Sequence, residues 1–492
     1  MLRRTWFAFA LLACASSAAR ADVKPNGLFT SGMVLQQNTK CPIWGVAAPN
    51  EKVSVHLDLG GNGIGAGGAA DKDGNWRLEL TTPAAGGPYT LTIAGQDNTI
   101  ILKKVYVGEV WVCSGQSNMW WPLKLTADPE KNANEAKYPQ IRLYTVPMKV
   151  ADRPQSDVTR QQQKNKPEDG VWHECTPENA MDFSAVAYYF GRALHKARNV
   201  PIGLIHTSWG GTRAEAWTSR AVLEPDPAYK EEYVKFDAAR KSSGPSRNPN
   251  DPSVLYNAMI APLIPYAIKG AIWYQGESNA GKADAYRTLF PTMIKNWRDD
   301  WRQGDFPFLF VQLAPWQKIE KEPKESAWAE LREAQLLTAL KCPKTGMAVI
   351  TDVGDEKDIH PKAKEPVGER LALGAQALAY GVKIEYSGPV YEGMKVEGNK
   401  AILSFSQLGG GLVAKGGPLT GFTIAGEDRK FHNAQAEIQD DKIVVTCDQV
   451  EKPVAVRFGW ANFPVVNLWN KAELPASPFR TDDWPGVTAP KK

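Results

Sequence analysis

Between Val105 and Gly381 short apolar runs alternate with amphipathic stretches, and this alternation constrains the fold more than any other feature of the 492-residue chain. Strands are expected over 107–113, 202–207, 271–275, 308–313 and 347–351, and helices over 184–198, 283–301, 327–340 and 364–380. Such a pattern predicts an α/β unit over 105–381, a parallel sheet covered by helices on both faces. Ligands of open sheets of this kind bind outside the carboxyl ends of the strands, so the residues that follow each strand are where chemistry is to be sought.

The flanks follow a different rule. Over 22–104, β-prone runs at 53–57, 76–80, 89–93 and 99–102 are separated by Gly, Asn and Asp turns, and β alternation returns from 384 onward at 395–397, 401–405 and 442–447. Both flanks, 22–104 and 382–492, are expected to be β-sandwich or jelly-roll regions. The polar stretch 152–170 reads as a long excursion from the central sheet. Residues 1–21 carry Arg3 and Arg4, an apolar run from Trp6 to Ala13 and the ending Ala19-Arg20-Ala21, which is the pattern of a cleaved signal peptide and implies an exported protein, periplasmic or extracellular. Leu11-Leu12-Ala13-Cys14 offers lipoprotein anchoring at Cys14 as a minor alternative. Removing the leader takes three arginines and lowers the formal charge of +4 to about +1. Lys and Arg are interspersed with acids rather than gathered into a stripe, which excludes a nucleic-acid partner. No later stretch is apolar enough for a membrane span. Cys41, Cys113, Cys175, Cys342 and Cys447 are an odd set without paired spacing, so they signal neither a zinc site nor a disulfide framework and read as single buried thiols, with one incidental disulfide open. Nothing in the pattern fixes an oligomeric state.

Four stretches at expected strand ends carry chemistry. Ser114-Gly115-Gln116-Ser117-Asn118-Met119 follows the first strand, where a tight turn into a helix lifts a Ser hydroxyl to the sheet edge; the same position also suits a helix cap. His206-Thr207-Ser208-Trp209-Gly210-Gly211-Thr212 places two glycines where backbone amides can approach a ligand. In Trp273-Tyr274-Gln275-Gly276-Glu277-Ser278-Asn279, Gln275 and Asn279 are neutral donors suited to an oxyanion, and Glu277 is suited to anchoring a neighbouring loop. Asp352-Val353-Gly354-Asp355-Glu356-Lys357-Asp358-Ile359-His360-Pro361 supplies a base with a carboxylate two residues away. Of the six histidines, His360 is the candidate base and His206 its rival.

Taken together, Gly-Gln-Ser-Asn-Met, Ser-Trp-Gly-Gly-Thr, Trp-Tyr-Gln-Gly-Glu-Ser-Asn and Asp-Ile-His-Pro resemble the sialate O-acetylesterase family within the SGNH hydrolase superfamily. The likeness extends to Met33-Val34-Leu35-Gln36, Trp44-Gly45, Asn467-Leu468-Trp469-Asn470 and Pro478-Phe479-Arg480-Thr481. It implies a flavodoxin-like three-layer catalytic domain and a serine esterase that removes acetyl groups from sugars without metal or cofactor. Ser117 would be the nucleophile, His360 the general base and Asp358 the residue orienting it. The amides of Ser117 and of Gly210 or Gly211, with a side chain from Gln275 or Asn279, would hold the oxyanion. Three departures from the superfamily pattern stand out: Gln116 replaces an Asp, residues 275–279 replace a Gly-x-Asn-Asp block, and Asp358-Ile-His360 is one residue shorter than Asp-x-x-His. The side-chain oxyanion donor therefore stays open, as does the choice among Asp358, Asp355 and Asp352. Trp120, Trp121, Trp209 and Trp273 offer flat faces to a sugar ring, and Arg213 offers a cation to a sialate carboxylate. Acetylated sialic acid and acetylated xylan or other plant oligosaccharides are the alternative substrates. An inactive hydrolase that binds sugars is the alternative of another class.

Overall fold

The computed structural model describes residues 22–162, 164 and 166–490, so the leader and Cys14 lie outside the described residues. The central sheet contains β1 (Thr99–Gly115), β2 (Tyr138–Thr145), β3 (Trp172–Cys175), β4 (Ile202–Ser208), β5 (Gly270–Tyr274), β6 (Phe308–Val311) and β7 (Thr345–Ala348). Their order is β3-β2-β4-β1-β5-β6-β7. The β3–β2 pair is antiparallel and the other neighbouring pairs are parallel. The chain leaves β1 in the middle of the sheet, later adding β4 on one side and β5 on the other. The loops at the carboxyl end of β1 therefore part in opposite directions and leave a crevice.

Strand β1 belongs to two regimes. Residues 99–104 are mostly exposed, whereas every residue from Val105 to Gly115 is buried, and 99–107 pairs antiparallel with Gly86–Ala94, Thr99 opposite Ala94 and Val107 opposite Gly86. The apolar run in the sequence thus begins where the strand becomes covered on both faces. Side-chain alternation then sorts the sheet into two cores. Val110, Val112, Ala271, Trp273, Phe308 and Phe310 point to one face, and Trp111, Cys113, Ile272, Tyr274, Leu309 and Val311 to the other. The short helix α1 (Ser117–Trp120) follows β1 directly. The helices that cover the sheet are α2 (Ala185–Arg198), α3 (Ala283–Trp301), α4 (Ala327–Lys341) and α5 (Glu365–Tyr380). Helices α3 and α4 cover the first face through Phe290, Trp297, Trp328 and Leu331, while α2 and α5 cover the second through Val186, Phe190, Val367 and Leu371. Complete burial of each such large side chain contributes roughly 1.5–3 kcal/mol. The Ser184 and Ser326 hydroxyls accept the Ala187 and Ala329 amides and so fix where α2 and α4 begin.

The flanks are mainly antiparallel β, apart from the parallel pairing of Val34–Gln36 with Tyr106–Gly108. In the amino-terminal region, Val53, Val55 and Leu57 of one sheet share a core with Trp76, Leu78 and Leu80 of another. In the carboxyl-terminal region Leu403 and Ile443 meet Ile424 and Phe458 in the same way. Among the elements that the sequence pattern does not show are β2, β3 and a helix over Pro227–Ser243, which buries only Tyr233 and Phe236 and so has no apolar stripe. Between β2 and β3, the described residues of the stretch 152–170 hold an isolated bridge, Gln161 to Asp169. The five cysteines are free thiols. Among the described residues no helix is long and apolar enough to cross a membrane, and no group of three or more His, Cys, Asp or Glu is placed to hold a metal ion.

Candidate active site

At the end of β1, Gly115 adopts φ +140°, and a Cβ there would lie 2.2 Å from the Tyr274 carbonyl oxygen, so glycine is required for β1 and β5 to stay paired. The Gln116 amide donates to that carbonyl at 2.9 Å, and the chain enters α1 with Ser117 as its first residue. The loop after β4 closes against this turn. The Trp209 amide donates to the Gly115 carbonyl at 3.2 Å, and a Cβ on Gly210 would sit 3.3 Å from Ser117 Cβ. Gly211, at φ +72°, faces open space. Ser117 occupies the first turn of a helix, where amides have no intrahelical acceptor, and Gly210 brings a second backbone segment beside it.

The loop after β7 supplies the partner. His360 Nε2 lies 2.9 Å from Ser117 Oγ. Asp358 Oδ1 accepts the His360 backbone amide at 2.8 Å and lies 3.3 Å from Nδ1. With the Nδ1 proton directed to Asp358, Nε2 is the acceptor for the Ser117 hydroxyl. Of the three candidate carboxylates, Asp358 is the one at the ring. Asp352 receives both guanidinium nitrogens of Arg370, at 2.6 and 2.8 Å, and Asp355 Oδ1 accepts the backbone amides of Lys357 and Asp358. The Trp121 indole stacks on the imidazole, 4.6 Å between centroids and 15° between planes. Burial and then the nearby Lys364 cation hold His360 below the ordinary histidine value, with Asp358 opposing both. The ring is accordingly neutral, and able to take a proton, at pH 7.

His206, the rival base, pairs elsewhere: its Nε2 lies 2.6 Å from Ser208 Oγ, the Phe183 ring packs edge-on against it, and burial pushes it down to about 4. Gln275 and Asn279 are fully buried, and their amide groups are engaged in the wall of the site. Gln275 Nε2 donates to the Thr212 carbonyl and to Asn279 Oδ1 at 3.1 and 2.7 Å, and Asn279 Nδ2 donates to Glu215 at 2.9 Å. The Arg213 guanidinium is likewise taken, by Glu232 and the Asn250 carbonyl at 2.8 Å each, with Glu215 at 3.7 Å. Trp273 belongs to the core, edge-on to Trp217 and Trp297. Trp120 and Trp209 are half-buried. Trp120 lines a cavity of about 730 Å³ together with Leu125, Met148, Phe183, His206 and Ser208. A larger cavity, about 1150 Å³, opens at the opposite ends of the strands beside Glu109, Pro307 and Lys344, away from the Ser–His pair; the smaller one joins the site through Trp120, which shares α1 with Ser117.

Sequence reasoning does not reach Lys364, and it meets Asn118 only as a letter in a motif. Both are buried behind the Ser117–His360 pair. Lys364 Nζ donates to Asn118 Oδ1, and Asn118 Nδ2 donates to Glu277 Oε1 at 2.7 Å and to the Ile359 carbonyl at 3.0 Å. The contact to Glu277 ties the loop after β5 to α1, in keeping with the anchoring role expected for that carboxylate.

Residues 107–376 match the family model described as carbohydrate esterase, sialic acid-specific acetylesterase. The sialate O-acetylesterase of Pongo abelii is 31% identical over 519 residues, covering 97% of this chain and 96% of the relative, and that of Homo sapiens is 31% identical over 521 residues with the same coverage. The crystal structure of a carbohydrate acetylesterase from Xanthomonas citri superposes with a TM-score of 0.84 at 40% identity, covering 94% of this chain and 100% of that one. A serine and a histidine hydrogen-bonded at the switch point of an α/β sheet, within a chain alike from end to end, place this protein in the sialate O-acetylesterase family of carbohydrate esterases.

Proposed function

We propose that the protein is an exported carbohydrate O-acetylesterase acting through a serine acyl-enzyme, on an SGNH-type catalytic domain with β-sandwich flanks. The observation that carries this reading is the 2.9 Å approach of His360 Nε2 to Ser117 Oγ at the carboxyl edge of the sheet. Ser117 attacks the acetyl carbonyl while His360 takes its proton. The tetrahedral oxyanion turns toward the amides of Ser117 and Gly210, His360 returns the proton to the departing sugar oxygen, and acetyl-serine forms. Water, deprotonated by His360, then releases acetate. Asp358 keeps the Nδ1 proton in place through both halves. The sugar lies across Trp120 and the cavity beside it, whose mixed apolar and polar lining suits a pyranose.

A neutral acetylated glycan is the second reading for the substrate. It is favoured by Arg213, whose guanidinium is already committed to Glu232, Glu215 and Asn250 and is not free for a sialate carboxylate. Export follows from the leader pattern and is checked by amino-terminal sequencing of the mature protein. The activity is checked by acetate release from p-nitrophenyl acetate by wild type and Ser117→Ala. An inert wild type, or a fully active Ser117→Ala, sinks the serine-esterase reading. Acetylated sialic acid set against acetylated xylo-oligosaccharide then decides between the substrates.

A further inference from the structure

Asn118 is saturated in one orientation. Its oxygen accepts from the Lys364 ammonium, which has no acceptor capacity of its own, so the amide nitrogen must face Glu277 and the Ile359 carbonyl. The consequence lies in who the neighbours are. Asn118 follows Ser117 in the chain, and Ile359 precedes His360. The 3.0 Å bond between them thus joins the residues adjoining the two reacting groups, which come from loops 241 positions apart. Lys364 and Glu277 brace this bond from the start of α5 and the end of β5.

The network is costly to bury. Asn118 is fully buried, Lys364 is 1% exposed, and the second Glu277 oxygen is buried without a partner. Lys364 and Glu277 bond opposite ends of the Asn118 amide, and replacing buried charges of this kind with apolar side chains is often neutral or stabilising, so stability does not account for their presence. The location beside the imidazole does. Asp358 faces the ring from its own loop, and Ser117 and Trp121 from α1 and its end; Lys364 Nζ, at the start of α5, lies 5.9 Å from the centre of the Trp121 ring that stacks on the imidazole, with Glu277 behind Asn118.

We propose that Asn118, Glu277 and Lys364 are positioning residues of the esterase: Asn118 fixes the Ser117–His360 separation, and Lys364 and Glu277, bonded to opposite ends of its amide, hold it in that orientation and place a cation near the imidazole. The inference rests on the serine-esterase reading and adds to it a device for holding the base. Burial, offset in part by Glu277, lowers Lys364 to about 7. At the lower pH where His360 takes up its proton, the ammonium is therefore charged and opposes that protonation.

The test is the pH dependence of kcat/KM for p-nitrophenyl acetate in Asn118→Ala, Lys364→Met and the charge-neutral double variant Glu277→Gln/Lys364→Met. Lys364→Met is expected to move the acid limb to higher pH by about half a unit or more, because one of the two influences holding His360 down is gone. The double variant, which leaves no lone buried carboxylate, is expected to shift the limb the same way and carries the test if the single variant does not fold. Asn118→Ala is expected to lower kcat roughly ten- to a hundredfold with little change in KM, the cost of a loosened reacting pair. A merely structural network would lower the yield of folded protein and leave the acid limb where it is. An unmoved limb in the folded double variant, or an Asn118→Ala kcat within about twofold of wild type, overturns the proposal. An inert wild type would instead overturn the esterase reading, so the two failures are distinct.

Discussion

Asp358→Asn separates the charge of the orienting residue from its architecture. The carboxylate accepts the His360 backbone amide at 2.8 Å, and an asparagine oxygen can keep that bond, so the loop should survive. What is lost is the negative charge 3.3 Å from Nδ1. That contact is longer than the 2.7–2.9 Å of a strong charge-assisted bond, and the Asp358 side chain is 41% exposed, so water screens it. A buried triad aspartate is worth about 10⁴-fold in turnover. Here the expected loss in kcat/KM is only about ten- to a hundredfold, or ~1.4–2.7 kcal/mol of transition-state stabilisation. The pH dependence has a definite sign. Asp358 raises the His360 value against burial and Lys364, so its removal lowers that value further and moves the acid limb to lower pH, opposite to Lys364→Met. The assay is p-nitrophenyl acetate hydrolysis across the acid limb, with His360→Ala as the lower reference. A loss as large as that of His360→Ala, or a limb that moves upward, would refute the weak-orienter argument; so would wild-type activity.

Three further outcomes follow from the structure. Gly115→Ala should destabilise the fold by about 3 kcal/mol or more, since it combines a strained φ with a Cβ driven into the Tyr274 carbonyl, and a urea-unfolding change below about 1 kcal/mol would contradict it. Arg213→Ala leaves Glu215, 2% exposed, without its cation and should cost about 2–3 kcal/mol in urea unfolding, while the ratio of sialate to neutral-sugar activity stays as in wild type; a selective loss on sialate would return Arg213 to the substrate. His206 is held at about 4 when folded and near 6.5 when unfolded, so the unfolded chain binds more protons in between, and stability should fall by up to about 3 kcal/mol as pH drops through that window. His206→Gln should flatten this dependence, and an unchanged slope would remove His206 as its source.

Apolar periodicity made the covered sheet legible. The helix expected over 283–301 is Ala283–Trp301 because Tyr286, Phe290, Met293, Ile294 and Trp297 repeat at helical spacing and meet one face of the sheet. Ser117 and His360 were legible because strand ends in such a sheet converge, so two residues distant in sequence share one edge. Strands β2 and β3 were not, since Tyr138–Thr145 carries Pro139, Gln140 and Arg142 and only its second half is buried. The oxyanion side chains show a different difficulty. Gln275 and Asn279 have the right chemistry, and residue type cannot tell whether an amide faces a substrate or a Thr212 carbonyl. Lys364 is hidden for the same reason in reverse. In Pro361-Lys362-Ala363-Lys364-Glu365 it reads as a solvated charge, and its burial arises only when the start of α5 docks behind α1.

In the proposed mechanism Ser117 carries the acetyl group between the two half-reactions. The direct measurement is rapid-quench mass spectrometry of the wild-type protein during turnover of p-nitrophenyl acetate, followed by peptide mapping of the acetyl adduct. Transient acetylation is expected at Ser117, formed with a burst of p-nitrophenol and absent in Ser117→Ala. Steady turnover with the adduct on another residue, or on Ser117→Ala with equal rate, would contradict it.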